Sequence, residues 1–126
     1  MILILGGRYQ GRLDFAKSTY GLEDADIFTC TDATETLDFS KRCLAYIDRY
    51  ALNRVRVGLE PGDAFRDNPA LRKDAVIIAT DISSGVVPMD ATLRAWREAN
   101  GRMNNDLAAR ADEVWRLFCG IAQRIK

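Results

Sequence analysis

Histidine is absent from the 126 residues. That absence removes Ser/His and Cys/His nucleophilic pairs, imidazole zinc sites and any intermediate carried on a histidine nitrogen. Chemistry on this chain must use carboxylates, Arg and Lys, hydroxyls, backbone amides or a metal. An excess of charge of either sign is also lacking. Lys plus Arg and Asp plus Glu each number 18, so no net field draws the chain to nucleic acid or to an anionic membrane. No apolar run approaches the roughly 18–20 residues of a membrane span. The apolar stretch at the amino end, about five residues, is far shorter than the core of a signal peptide. A cytoplasmic protein is expected. Cysteine is scarce: Cys30, Cys43 and Cys119 are odd in number and scattered, and are expected to be reduced, buried thiols. What remains is 48% hydrophobic, enough for one domain spanning 1–126 with its own core.

The strongest pattern stands at the start. Met1-Ile-Leu-Ile-Leu5 is a continuous apolar run and reads as a fully buried parallel strand. It stops at Gly6-Gly7; Gly11 follows, and a helical pattern begins at once with Leu13, Ala16 and Tyr20, ending at Gly21. Glycines let a phosphate approach the backbone, and successive N–H groups at a helix start form an anion cradle. The nucleotide-binding candidates are therefore Gly6, Gly7, Arg8, Tyr9, Gln10, Gly11, Arg12 and Leu13. The alternative is a tight turn whose glycines serve packing only. The full P-loop pattern, Gly-x-x-x-x-Gly-Lys-Ser/Thr, has Arg12 at its lysine and Leu13 at its hydroxyl position. Arg12 keeps the positive charge but as a planar fork. Leu13 cannot ligate Mg²⁺, which would then rest on phosphates and a carboxylate.

Further along, Ile27-Phe28-Thr29-Cys30 reads as a second strand with Thr31 and Asp32 at its exit. From Asp38 the spacing of Phe39, Cys43, Ile47, Tyr50 and Ala51 predicts a helix, with Asp48 and Arg49 among its solvated charges. Arg54-Val55-Arg56-Val57 alternates as a brief edge strand would. Ala75 to Thr80 is the clearest central strand, ending on Asp81-Ile82-Ser83-Ser84-Gly85. Asp90 then caps a long helix with Leu93, Trp96, Met103, Leu107 and Ala111 as its stripe and Gly101 inside it. Val114 to Gly120 is the last strand, followed by a polar tail.

Strands alternating with helices argue for an α/β fold: a P-loop NTPase-like three-layer arrangement, mainly parallel, with helices on both faces. Ligands in such sheets bind beyond the carboxyl ends of the strands. That rule gathers the glycine loop, Asp32 and Thr80/Asp81. Asp81 is the candidate metal-holding or base carboxylate and Asp32 a second one for Mg²⁺; a helix cap or turn is the plainer reading of Asp81. Thr80, Ser83, Ser84 and Arg97 are candidate substrate contacts. Arg94, Arg97 and Arg102 reach either an anionic substrate or a neighbouring subunit, or else pair in solvent with Glu98 and Asp106. Trp96 and Trp115 read as core or subunit-interface residues.

One longer pattern remains. Gly85-Val-Val-Pro88, Arg94-x-x-Arg97-Glu98-x-x-Gly101-Arg102-x-Asn104-Asn105-x-Leu107-Ala108, Ala111-Asp112-Glu113-Val114 and Gly120 to Lys126 together closely resemble the carboxyl-terminal third of the adenosylcobinamide kinase/adenosylcobinamide-phosphate guanylyltransferase family of cobalamin biosynthesis. Gly6-Gly7, Gly11 and Phe15-Ala16 resemble that family's phosphate loop. The two ends of the chain carry the likeness; the region between Thr31 and Asp74 is shorter than the family's. The resemblance implies GTP or ATP and a corrinoid as ligands, and a homo-oligomer. It implies a guanylylated histidine for one half-reaction, which this chain lacks. It leaves a kinase half-reaction in which Arg12 and Asp81 would be catalytic, Asp81 standing where the family has an Asn-Glu-Val-Gly-like turn. The other expectations are a catalytically degenerate nucleotide- or corrinoid-binding module acting as regulator or partner subunit, and a kinase for another small alcohol.

Overall fold

The computed structural model describes residues 1–82 and 89–126. Ser83 and Ser84 and the Gly85–Pro88 part of the family pattern lie outside them. Strand β1 (Ile2–Gly6) leads through the glycine loop into helix α1 (Arg12–Tyr20), and β2 (Ile27–Thr29) follows a single 3₁₀ turn. Strand β3 (Cys43–Ala45) runs straight into α2 (Ile47–Arg56), then β4 (Val76–Thr80), the long α3 (Ala91–Arg110), β5 (Glu113–Phe118) and β6 (Ile121–Arg124). The six strands form one sheet in the order β2-β3-β4-β1-β5-β6. All neighbours are parallel except the final β5–β6 hairpin.

The apolar runs end up where continuous hydrophobicity demands, in the middle. All five residues of β4 are buried, because both faces of this parallel sheet are covered. On one face Leu3, Leu44, Ile77, Ala79 and Val114 pack against Ile47, Ala51, Met103 and Leu107 from α2 and α3. On the other, Ile4, Cys43, Ala45, Val76 and Ile78 pack against Ala16 of α1 and Leu22. Each fully buried Leu, Met or Ile contributes about 1.5–3 kcal/mol, so these two layers fix the register. That register aligns Gly6 with Thr80 on β4 and with Leu117 on β5. The glycine loop therefore opens at the carboxyl edge of the sheet, flanked by the ends of its two central neighbours.

Several expectations are corrected. The helix expected from Asp38 begins only at Ile47. Cys43-Leu44-Ala45 is instead a fully buried strand, and Tyr46, at φ 59°, turns the chain from strand to helix. The apolar spacing read from Phe39 was coincident with a strand followed by a helix. Arg54 to Arg56 is the last turn of α2, not an edge strand; alternation over four residues does not separate the two periods. The polar tail pairs as β6 through a tight turn in which Cys119 and Gly120 have φ 51° and 75°. Cys30 and Cys43 are buried as expected, whereas Cys119 at that turn is exposed. On α3 Asp90 does cap, its carboxylate accepting from the Leu93 amide at 3.0 Å. Leu93 itself is exposed, and the helix docks from Trp96 onward.

Candidate functional site

Between β1 and α1 the chain climbs away from the sheet through Tyr9, at φ 60°, and Gly11, at φ 84°. Gly11 is the residue before the helix and offers no side-chain cap. The first N–H groups of a helix have no intrahelical acceptor, so the amino end of α1 keeps the donors and partial positive charge of an anion site. The loop is fastened at its crest. The Gln10 carbonyl accepts from the Gly120 amide at 3.1 Å, and Gln10 Oε1 accepts from the Cys119 amide. The β5–β6 turn thus holds the loop in place.

Arg12 departs from the geometry expected of a phosphate-contacting cation. Its side chain turns beneath the loop and is buried. Nη1 donates to the Ala79 carbonyl at 2.6 Å and to Thr80 Oγ1 at 2.7 Å. The Thr80 hydroxyl donates in turn to Asp48 Oδ1 at 2.7 Å. Gly6 makes room for this path: a Cβ there would lie 3.2 Å from Arg12 Cδ and 2.8 Å from the Leu117 carbonyl oxygen. The Arg12 guanidinium also sits 5.2 Å from the Tyr46 ring centroid. Burial pushes its pKa below the ordinary arginine value while Asp48 pulls it back up.

Asp48 and Arg49, in the first turn of α2, complete the wall. Asp48 is 2% exposed, Arg49 Nε lies 3.6 Å from its Oδ2, and Trp96 Nε1 donates to its backbone carbonyl at 2.8 Å. Together with Arg8, Leu13 and Asp14 these residues border a cavity of about 420 Å³. Cys30 borders it too, but burial pushes that thiol up to about 12, which leaves no thiolate for nucleophilic attack at neutral pH.

The candidates from sequence separate into two groups. Arg8 to Leu13 and Thr80 meet at this cavity. Gly6, Gly7, Gln10, Asp81 and Arg97 border a second one, of about 520 Å³. Asp32 lines neither; it is paired with Arg49 at 3.4 Å. Asp32 and Asp81 are thus not brought together. Arg102 pairs with Glu60 at 3.0 Å, and Asp106 pairs with Arg110 at 2.8 Å. Trp96 and Trp115 are both partly buried against the core. Sequence reasoning missed Tyr46, Asp48 and Asn100. Asp48 follows a strand closely, the position that the strand-end rule marks, but drawing a helix through Cys43 hid that strand.

The donor set does not suit a resident divalent metal. Leu13 offers no ligand, Asp48 is engaged by Thr80 and Arg49, and among the described residues no cluster of three or more His, Cys, Asp or Glu could hold an ion.

A mainly parallel sheet, a glycine loop between its central strand and the first helix, and polar residues at the neighbouring strand ends define a P-loop-type α/β domain. Comparison with known proteins makes this specific. Residues 59–125 match the model of the cobinamide kinase/cobinamide phosphate guanyltransferase family, and the chain belongs to that family. The bifunctional adenosylcobalamin biosynthesis protein CobU of Salmonella typhimurium is 41% identical over 51 residues, which cover 40% of this chain and 28% of that protein. Its namesake in Escherichia coli K12 is 39% identical over 51 residues, with the same coverage. The shared stretch is thus well under a third of either relative. The family match begins after α2 and does not include the glycine loop.

Proposed function

We propose that this chain is a nucleotide-binding module of cobalamin biosynthesis that holds the phosphates of GTP or ATP at the amino end of α1 without transferring one. The observation that carries the reading is the commitment of Arg12 to the Ala79 carbonyl and to the Thr80 hydroxyl, which itself donates to Asp48. Phosphoryl transfer depends on cations aimed at the transferring group. The cation at the lysine position here is spent on the Ala79 carbonyl and the Thr80 hydroxyl, and Leu13 supplies no hydroxyl. The uncapped first turn of α1, with Arg8 beside it, still suits a phosphate tail. We read it as a regulatory or partner subunit beside a corrinoid-processing enzyme, assembled as a homo-oligomer. This reading is preferred to a kinase half-reaction through Arg12 and Asp81 because those two residues border different cavities through different faces of the loop.

The test is thermal-shift and calorimetric titration with GTP, ATP and cobinamide, alongside transfer of labelled γ-phosphate to cobinamide. The expected result is saturable stabilisation by a triphosphate with no labelled product. Arg12→Lys combined with Leu13→Ser is expected to gain transfer. Transfer by the unaltered chain would overturn the degenerate reading, and no stabilisation by either nucleotide would overturn both.

A further inference from the structure

Among the described residues, the outer edge of β6 pairs with no other strand. Val114 of β5 packs on the α3 face of the sheet, whereas Trp115 and Leu117 pack on the α1 face. Side chains alternate along a strand, so Arg116 and Phe118 share the α3 face with Val114. The hairpin register pairs Gln123 with Arg116 and Ile121 with Phe118, which puts Ile121 and Gln123 on that face too. Ile125 borders the second cavity there. The apolar members stay in solvent: Phe118, Ile121 and Ile125 are 63%, 71% and 59% exposed. Charged side chains ordinarily keep such an edge from pairing with another chain. Here both are drawn back. Arg124 Nη1 lies 3.8 Å from Glu113 Oε1, and its Nε donates to the Lys126 carbonyl at 2.9 Å. Lys126 Nζ donates to the Ala108 and Ala109 carbonyls at the end of α3, at 3.1 and 3.0 Å. The Ile125 amide points into the sheet, donating to the Val114 carbonyl at 2.7 Å. Alternation along an antiparallel strand then turns the N–H and C=O groups of Ala122 and Arg124 outward. The opposite edge, β2, is only three residues long and is blunted by that shortness.

We propose that β6 pairs antiparallel with β6 of a second copy of this chain, about a two-fold axis through Gln123, joining two sheets edge to edge. This gives a surface to the homo-oligomer read above and rests on that reading, not on nucleotide binding. The outward groups permit a centre at Ala122, Gln123 or Arg124. A centre at Arg124 sets the two Arg124 guanidiniums face to face. One at Ala122 sets Ile121 against Gln123 and runs Arg124 into the Gly120 turn. Only the centre at Gln123 sets Ile121 opposite Ile125 of the second copy, and symmetry makes that contact twice. Ala122 and Arg124 of each copy then exchange N–H···O=C bonds with Arg124 and Ala122 of the other. The isoleucines fall at non-hydrogen-bonded positions, where side chains approach most closely, with Phe118 beside them on the same face. On the α1 face each arginine meets an alanine and keeps its own Glu113, so no like charges stand directly opposite. An unrelated strand offers no such self-match, which favours a second copy as the occupant.

The test is sedimentation velocity of the full chain across a concentration series. The contact is small beside an ordinary interface, so a dimer with a dissociation constant on the order of 10–100 µM is expected. Ile121→Lys sets an ammonium against Ile125 at both symmetric contacts and should weaken association roughly tenfold. Circular dichroism of the monomer should not change, because position 121 is exposed. Adding Ile125→Glu on the same chain places a carboxylate opposite each new ammonium across the axis. Within one chain the two positions lie about 13 Å apart along an extended strand, too far to pair. The double variant should therefore regain the association that the single one loses. A chain still monomeric at roughly 1 mM, ten times the upper end of that range, would overturn this proposal and the homo-oligomer reading together. Two-fold pairing closes at two copies. A trimer or larger assembly, a dimer indifferent to Ile121→Lys, or a double variant no better than the single one would overturn this interface alone.

Discussion

Replacing Arg12 by methionine separates a structural arginine from a phosphate-contacting one. Methionine keeps the unbranched stem that fits over Gly6 and removes only the guanidinium. Two buried hydrogen bonds from a charged donor are lost, to Ala79 and Thr80, each worth roughly 1.5–3 kcal/mol. Asp48, 2% exposed, keeps the Thr80 hydroxyl and its ion pair with Arg49, but Thr80, the bridge between it and Arg12, loses its charged donor. Together the two bonds make a loss of about 3–6 kcal/mol, a large share of the roughly 5–15 kcal/mol that holds an ordinary domain folded. Urea unfolding followed by far-ultraviolet circular dichroism measures it. Asp48→Asn removes the charge that Arg12 serves, so the double variant should cost less than the two single ones summed, by about 0.5–3 kcal/mol. A cost for Arg12→Met within about 0.5 kcal/mol of zero, as for a surface residue, refutes the reasoning, and so does strict additivity with Asp48→Asn. In either case the arginine would be free to serve a ligand instead.

Four further outcomes are expected. Cys30 and Cys43 are held up to about 12 by burial, so a thiol reagent at mildly alkaline pH should modify only Cys119 in the native chain and all three cysteines after denaturation. For those same two thiols the folded state keeps protons that the unfolded state loses above pH 9.0. Their contribution to stability is therefore complete below about pH 9 and declines as pH rises toward 12, which urea midpoints across that range would show. Alanine at two glycines should act in opposite directions on the melting temperature. Gly6→Ala drives a Cβ to 2.8 Å from the Leu117 carbonyl oxygen and should destabilise by about 1–3 kcal/mol. Gly101→Ala meets nothing and should stabilise by up to about 1 kcal/mol. Asp90→Ala removes the cap on the Leu93 amide and should cost about 1 kcal/mol in thermal unfolding.

The sequence by itself determined the outline: uncharged runs at β1 and β4 had to be central strands, because only a sheet covered on both faces can bury them. The double glycine after β1 and the start of α1 at Arg12 followed from composition and spacing alone. So did the Asp90 cap, whereas the family of the carboxyl-terminal half came from its resemblance to a known family's pattern. It misled where signals were short. Three residues, Cys43 to Ala45, carry no period of their own, and a helical spacing running across them concealed both β3 and the carboxylate soon after it. The direction of Arg12 is a matter of tertiary structure. A cation at that position can rise toward a phosphate or turn inward, and the choice depends on Asp48, brought against the end of β4 by the β3–α2 corner. The second cavity is likewise unreadable from spacing, because Asn100 and Asn104 reach the Thr80 carbonyl, at 2.9 and 3.3 Å, only once α3 has docked across the sheet. Local propensity acts over a turn or two; the charges and acceptors that decide this site come from segments tens of residues apart.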